Sequence, residues 1–141
     1  MSLTFFDTNI LVYTEDARVP DKQRKASRLV EEHWLDDTAV VSLQVLQEYF
    51  AAVTKKLNAP LERAQRRVEI LASAKVVRFE TRDVIAAIEF HRLSKISFWD
   101  ALVLHAARIG GAEVLYSEDF QHNSVLAGVK IVNPFVTDLE Q

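Results

Sequence analysis

Five carboxylates in this chain fall where a parallel sheet would gather them. The run "LTFF" ends on Asp7, with Thr8 and Asn9 directly behind it, and "VLYS" ends on Glu118 and Asp119. Asp100 stands in the first turn of the apolar helix that begins "SFWDALVLHAA", and Glu48 in the second turn of the helix after "TAVVS". In a parallel sheet each crossover helix starts near the carboxyl ends of the strands, so these positions share one edge. That is the edge at which open α/β folds hold their ligands. Carboxylates kept together repel, and each desolvated ion costs several kcal/mol unless something opposes it. A hard divalent cation removes both penalties, and oxygen ligands without thiolate select Mg²⁺ or Mn²⁺ over zinc.

Each acid also has a local reading. Asp7 is a good helix N-cap. Ser97-Phe98-Trp99-Asp100 has the S-x-x-D spacing of a capping box, and a Glu-Asp pair after a strand suits a turn. Glu48 lies off the stripe Leu43/Leu46/Phe50/Val53/Leu57, where spacing alone predicts a surface side chain. The helix around Asp100 argues the other way. Phe98, Ala101, Leu102, Val103, Leu104, Ala106, Ala107 and Ile109 surround its axis, and a helix apolar on all sides is buried. Trp99 and Phe120, the aromatics beside the acids, are expected in the core. His33, His91, His105 and His122 show no zinc-ligand spacing, and His33 and His105 read as structural.

The elements that must position these acids alternate along the chain. Strand patterns cover residues 2–6, 38–42, 75–79, 113–117 and 129–133. Helical patterns cover 8–16, 21–36, 43–57, 60–74, 81–94 and 97–109, the last closed by Gly110 and Gly111. Short strands separated by long helices predict βαβ units. The expected fold is a single α/β domain over residues 1–141, three-layered, with a central, mostly parallel sheet of about four to five strands flanked by helices.

Composition narrows the chemistry further. The 141 residues are 49% hydrophobic and 26% charged, and contain no Cys, which excludes disulfides and thiol catalysis. No apolar run reaches membrane-spanning length and no leader pattern opens the chain, so a cytoplasmic protein is expected. A net charge of −3 excludes whole-surface attraction to nucleic acid. Fifteen of the 17 Lys and Arg nevertheless lie between Arg18 and Lys95, clustered at Lys22/Arg24/Lys25/Arg28, Lys55/Lys56 and Arg63/Arg66/Arg67.

Taken together, "FFDTNILVY", the Glu after the second strand, "SFWDALVLHAA" and "VLYSEDFQH" resemble the PIN-domain ribonucleases, and within them the VapC-type toxins of toxin–antitoxin pairs. The resemblance spans almost the whole chain, in order. It implies a metal-dependent endoribonuclease whose catalytic acids are Asp7, Glu48, Asp100 and Asp119. Asp7, Asp100, Asp119 and the additional Glu118 become the candidate ligands of Mg²⁺ or Mn²⁺. Ser117, in place of the family's Thr, and Asn9 become the polar supports of the first Asp. The resemblance further implies a homodimer, an RNA substrate and a cognate antitoxin protein that covers the acids. Carboxylate-held metal suits phosphodiester hydrolysis because it activates water and shields phosphate charge.

Two other readings predict different residues. A haloacid-dehalogenase-like phosphatase carries a second Asp two residues after the first, where this chain has Asn9. A receiver-like Mg-binding signalling module carries adjacent acids at the end of its first strand, where this chain has Asp7 alone.

Overall fold

The computed structural model describes residues 2–136, within the expected domain range of 1–141. One sheet runs through it in the order β3-β2-β1-β4-β6-β5. Its strands are β1 (Leu3–Phe6), β2 (Ala39–Ser42), β3 (Lys75–Val77), β4 (Ala112–Tyr116), β5 (Val125–Leu126) and β6 (Val129–Val132). All pairings are parallel except β5 with β6. The central strands are buried on both faces, Phe5, Phe6, Val40, Val41 and Leu115 among them, as parallel strands covered on two sides must be.

The helices are α1 (Thr8–Tyr13), α2 (Pro20–Leu35), α3 (Leu43–Lys55), α4 (Leu61–Leu71), α5 (Thr81–Leu93) and α6 (Phe98–Ile109). From β1 the chain moves outward through β2 to β3, then returns across β1 to lay down β4. Right-handed crossovers therefore put α1–α4 on one face and α5–α6 on the other. Accordingly α1 packs on α2 and α3, α3 on α4, and α5 on α6. The reversal of direction leaves a crevice at the carboxyl ends of β1 and β4, the switch point of the sheet.

Element types agree with the pattern of the sequence, and the differences have local causes. The first helix ends at Tyr13, where the amides of Thr14, Glu15 and Asp16 turn to the carbonyls three residues back (3.2, 3.0 and 3.1 Å). Asp16 then accepts the Arg18 amide and guanidinium (3.1 and 2.9 Å), and Pro20 opens α2. The sheet has six strands, since a tight hairpin adds the two-residue β5. Ala127 and Gly128 turn it with φ of 51° and 80°, the two positive values that a type I′ turn requires.

Gly110 closes α6 with ordinary φ, but its place is set by close approach. A Cβ there would lie 2.8 Å from Val77 Cγ2 and 2.9 Å from Val40 Cγ1. Both valines are buried in the sheet and cannot withdraw. Gly110→Ala is expected to lower stability by about 1–3 kcal/mol, the usual penalty for overpacking. Urea midpoints of the two proteins check this, and equal midpoints would show that α6 can slide off the sheet.

Candidate active site

Asp7 is both a helix cap and part of the lining of an acidic hollow. Its backbone is extended (φ −70°, ψ 157°), it precedes α1, and its Oδ1 accepts the Thr8 amide at 2.8 Å. Its other oxygen accepts the hydroxyl of Ser117 at 2.7 Å. Ser117, wholly buried, in turn accepts the amide of Asp119 at 3.0 Å. One hydroxyl thus ties the acid after β1 to the acid-bearing turn after β4. The amide of Asp7 donates to Tyr116 O at 3.1 Å, which fixes the two strand ends side by side.

Glu48 reaches the same place from α3. The Thr8 hydroxyl donates to its Oε1 at 2.8 Å, and the Gln44 amide to its Oε2 at 3.3 Å. Asp100 stands in the first turn of α6, where Ser97 Oγ accepts its amide at 3.0 Å. Asp7, Glu48, Asp100 and Asp119 all line one hollow of about 410 Å³, together with Thr8, Asn9, Gln44, Lys55, Lys56 and Trp99.

The electrostatics follow from this placement. Only 5% of Asp7 remains exposed. Burial pushes its pKa up to about 6; the charges of Asp119 and Glu48 add to the rise, while the Ser117 and Thr8 hydrogen bonds oppose it. Burial also raises the pKa of half-buried Asp100, helped by the charge of Asp119 and opposed by the Ser97 hydroxyl. Raised carboxylates in one hollow mark a place where negative charge is held at a cost. Among the described residues no three acids or imidazoles converge closely enough to hold a metal ion as they stand. The donor set is nonetheless oxygen-only and carries excess negative charge, which suits a hard divalent cation.

Glu118 lies elsewhere. Tyr13 donates to its Oε1 at 2.6 Å, and the Lys22 ammonium meets its Oε2 at 2.5 Å. Lys22 also lies over the rings of Tyr13 and Phe135. These partners hold Glu118 outside the hollow that Asp119 lines. Asp119→Asn is therefore expected to reduce any activity of the hollow at least tenfold more than Glu118→Gln, since Asp119 lines it and Glu118 does not. Initial rates of the two variants check this, and equal losses would put Glu118 among the working acids.

Some residues stand differently from expectation. Asn9 is an exposed member of the hollow, and the contacts that orient Asp7 come from Thr8 and Ser117. Trp99 is 63% exposed and forms a wall of the hollow, while Ala101, Leu102 and Leu104 of the same helix are buried. Phe120 is partly buried against the core. His105 is structural: Arg108 donates to its Nδ1 at 2.8 Å, and its Nε2 lies 2.9 Å from Asp83 Oδ1, binding α6 to α5. His33 Nδ1 lies 2.8 Å from Thr38 Oγ1, and its ring packs on Phe6 and Tyr116.

The basic clusters separate as well. Lys55 and Lys56 border the acids, at the far end of the α3 face that carries Gln44 and Glu48. Arg63 and Arg67 instead pair with Glu15 at 2.6 and 3.3 Å, in a different hollow of about 730 Å³ between α2 and α4.

The profile of the PIN domain family matches residues 4–126. Among solved structures the chain is similar to a toxin–antitoxin complex from Klebsiella pneumoniae, with 19% identity over 94% of this chain and 98% of that one, at a TM-score of 0.65. VapBC2 from Rickettsia felis, bound to a DNA fragment from its promoter, gives 20% identity over 92% and 96%, at 0.61. VapC20 from Mycobacterium tuberculosis, described as a sarcin-ricin loop cleaving toxin, gives 20% over 82% and 89%, at 0.59. At such identities the likeness establishes a shared fold. A comparison with curated protein sequences finds no significant match.

Proposed function

The chain belongs to the PIN domain family, and from that premise we propose that it is a metal-dependent endoribonuclease, the toxin of a toxin–antitoxin pair. The observation that carries the reading is the gathering of Asp7, Glu48, Asp100 and Asp119 around one hollow at the switch point of the sheet. The similarity to toxin–antitoxin structures supports the toxin assignment and a cognate antitoxin as partner. A homodimer and a cytoplasmic location belong to the same proposal. No helix among the described residues is long and apolar enough to cross a membrane.

Asp7, Asp100 and Asp119 are the residues that would hold Mg²⁺ or Mn²⁺, with Glu48 beside them. Such an ion, when bound, supplies shielding of the phosphate charge and activation of water. The protein contributes the rest. Ser117 and Thr8 lock Asp7 in one rotamer, and the Ser117–Asp119 bond fixes the turn after β4. Thr8 and Gln44 restrain Glu48, leaving it able to accept a proton from water on the hollow side. The Asp119 side chain is exposed, so rotation about its own bonds can complete a ligand set without moving backbone. Lys55 and Lys56 offer positive charge to phosphates flanking the cut.

Salt dependence distinguishes the basic clusters. Replacing Lys55 and Lys56 by Ala is expected to reduce the slope of log affinity against log salt by about 1.4 for single-stranded RNA, from roughly 0.7 per phosphate contact. Replacing Arg63 and Arg67 by Ala should leave the slope unchanged, since both side chains turn to Glu15 in the hollow between α2 and α4, away from the acids. Filter binding across a salt series reads both, and the opposite pattern would move the RNA path to the α2–α4 side.

The function itself is tested by expressing the chain alone in bacteria and sequencing the RNA 5′ ends that appear. New internal ends at one or a few sites are expected, absent with Asp100→Asn. An unchanged RNA population, with purified protein inert toward RNA in Mg²⁺ and Mn²⁺, would overturn the proposal.

A further inference from the structure

A second hollow, of about 370 Å³, adjoins the acidic one and shares two of its walls, Trp99 and Gln44. Its floor is apolar: Val77, Phe79, Leu102 and Ala106. Its rim carries the amides of Gln44 and Gln47, each able to donate and to accept. We propose that this hollow is a nucleobase subsite, which receives one unpaired base of the RNA strand whose phosphate lies among the acids.

Four observations lead there. Trp99 separates the two hollows and immediately precedes Asp100, so a base against its indole is held beside the site of cleavage. The indole is 63% exposed, yet it is braced edge-on by Phe98 at 5.3 Å between centroids, which keeps a flat aromatic surface presented to solvent. Leu43, at the mouth of the second hollow, is also exposed. A slot with an aromatic wall, an apolar floor and a few hydrogen-bonding groups fits a planar, polar-edged ligand. The charge pattern fits the same ligand: Lys55 and Lys56 lie along the adjoining hollow, where the backbone of a bound strand would run.

The occupant must be unpaired. In a duplex the faces of the bases are stacked on each other and their edges are paired, so neither Trp99 nor the glutamines could reach them. Recognition of unstacked bases by aromatic side chains, with hydrogen bonds to the freed edges, is how proteins read single-stranded RNA. Trp99 would supply grip that tolerates any base. Gln44 and Gln47 would supply discrimination, because a side-chain amide matches some base edges and not others. Gln44 also bonds to Glu48, so the group that reads the base touches one of the proposed catalytic acids.

The subsite rests on the ribonuclease reading, and the test separates the two. A pool of short single-stranded RNAs, randomised in sequence, is cleaved by wild type, Trp99→Phe, Trp99→Ala and Gln47→Ala, and the ends are sequenced. Wild type is expected to favour particular bases at one fixed offset from the cut and to spare a duplex of the same sequence. Trp99→Phe should keep that preference. Trp99→Ala should raise KM on the order of tenfold, with a smaller effect on kcat, and flatten the preference. Gln47→Ala, an exposed substitution that leaves the core untouched, should flatten the preference with little change in KM. If Trp99→Ala and Gln47→Ala both cut with wild-type KM and wild-type preference, the hollow is not a base subsite and the ribonuclease reading stands. The subsite is equally excluded if Trp99→Ala loses only the binding of a protein partner. A wild type that cuts no RNA with either metal removes the ribonuclease reading and the subsite with it.

Discussion

Asp7→Asn and Asp100→Asn should each reduce RNA cleavage by about 10²–10³-fold, the rate equivalent of the several kcal/mol that a bound cation contributes to a charged transition state. Both substitutions preserve volume. Asn at position 7 still offers an oxygen to the Ser117 hydroxyl or the Thr8 amide, and Ser97 Oγ accepts the backbone amide of residue 100 whatever the side chain. The loss should therefore appear without loss of fold, and far-UV circular dichroism should be unchanged. Single-turnover rates on a short RNA give the measurement. A variant retaining more than a tenth of the wild-type rate would remove that acid from the centre of the reaction.

The second large effect is on stability and has the opposite sign. The folded-state pKa of Asp7 is about 6 against an ordinary 3.8. A carboxyl raised in this way binds its proton more tightly in the folded chain than in the unfolded one, so its ionisation destabilises the fold. No penalty exists below pH about 4; it grows between about 4 and 6 and is complete above that, at about 1.4 kcal/mol per unit. Removing the charge relieves that penalty, and the rearranged hydrogen bonds around Ser117 and Thr8 return part of it. In chelator at pH 8, Asp7→Asn should be more stable than wild type by about 1–2 kcal/mol, which raises Tm by several degrees. At pH 4 the penalty is absent and only the hydrogen-bond cost remains, so the order should reverse and the variant should melt at or slightly below wild type. Mg²⁺ should raise Tm of the wild type and barely move the variant, because binding to the native state alone is stabilising. A variant that melts below wild type in chelator at pH 8 would mean that Asp7 is held as a cap and carries no stored repulsion.

The parts of this molecule written in local patterns are legible in its sequence. The alternation of short β-branched runs with amphipathic helices specifies a parallel sheet, and a parallel sheet implies a shared carboxyl edge for Asp7, Asp100 and Asp119. The misplaced features depend on tertiary distance or on very short elements. The strand β5 has two residues, too few for any period. Trp99 lies inside an apolar run, and only the packing of α6 decides that its side chain faces out while Ala101, Leu102 and Leu104 face in. Arg63 and Arg67 look like Lys55 and Lys56 in composition, but their partner Glu15 is 48 residues away from Arg63 in sequence. Glu118 and Asp119 are adjacent and chemically alike. Tyr13 and Lys22, brought in from α1 and α2, decide between them. Thr8 was open to sequence reasoning, since a hydroxyl directly after the first Asp stands within reach of the same hollow. Lys55 was open too, two helical turns beyond Glu48 on one face.

The central claim is that these acids work by holding a divalent cation, and one titration addresses it directly. Purified protein is stripped with excess chelator, its RNA cleavage rate is measured, and Mg²⁺ or Mn²⁺ is then added back in steps. The expected result is no cleavage in chelator, recovery that saturates with added metal, and no recovery in Asp7→Asn at the same concentrations. Cleavage at the full rate in chelator, abolished by Asp7→Asn all the same, would contradict it: the hollow would then cut RNA with its carboxylates alone.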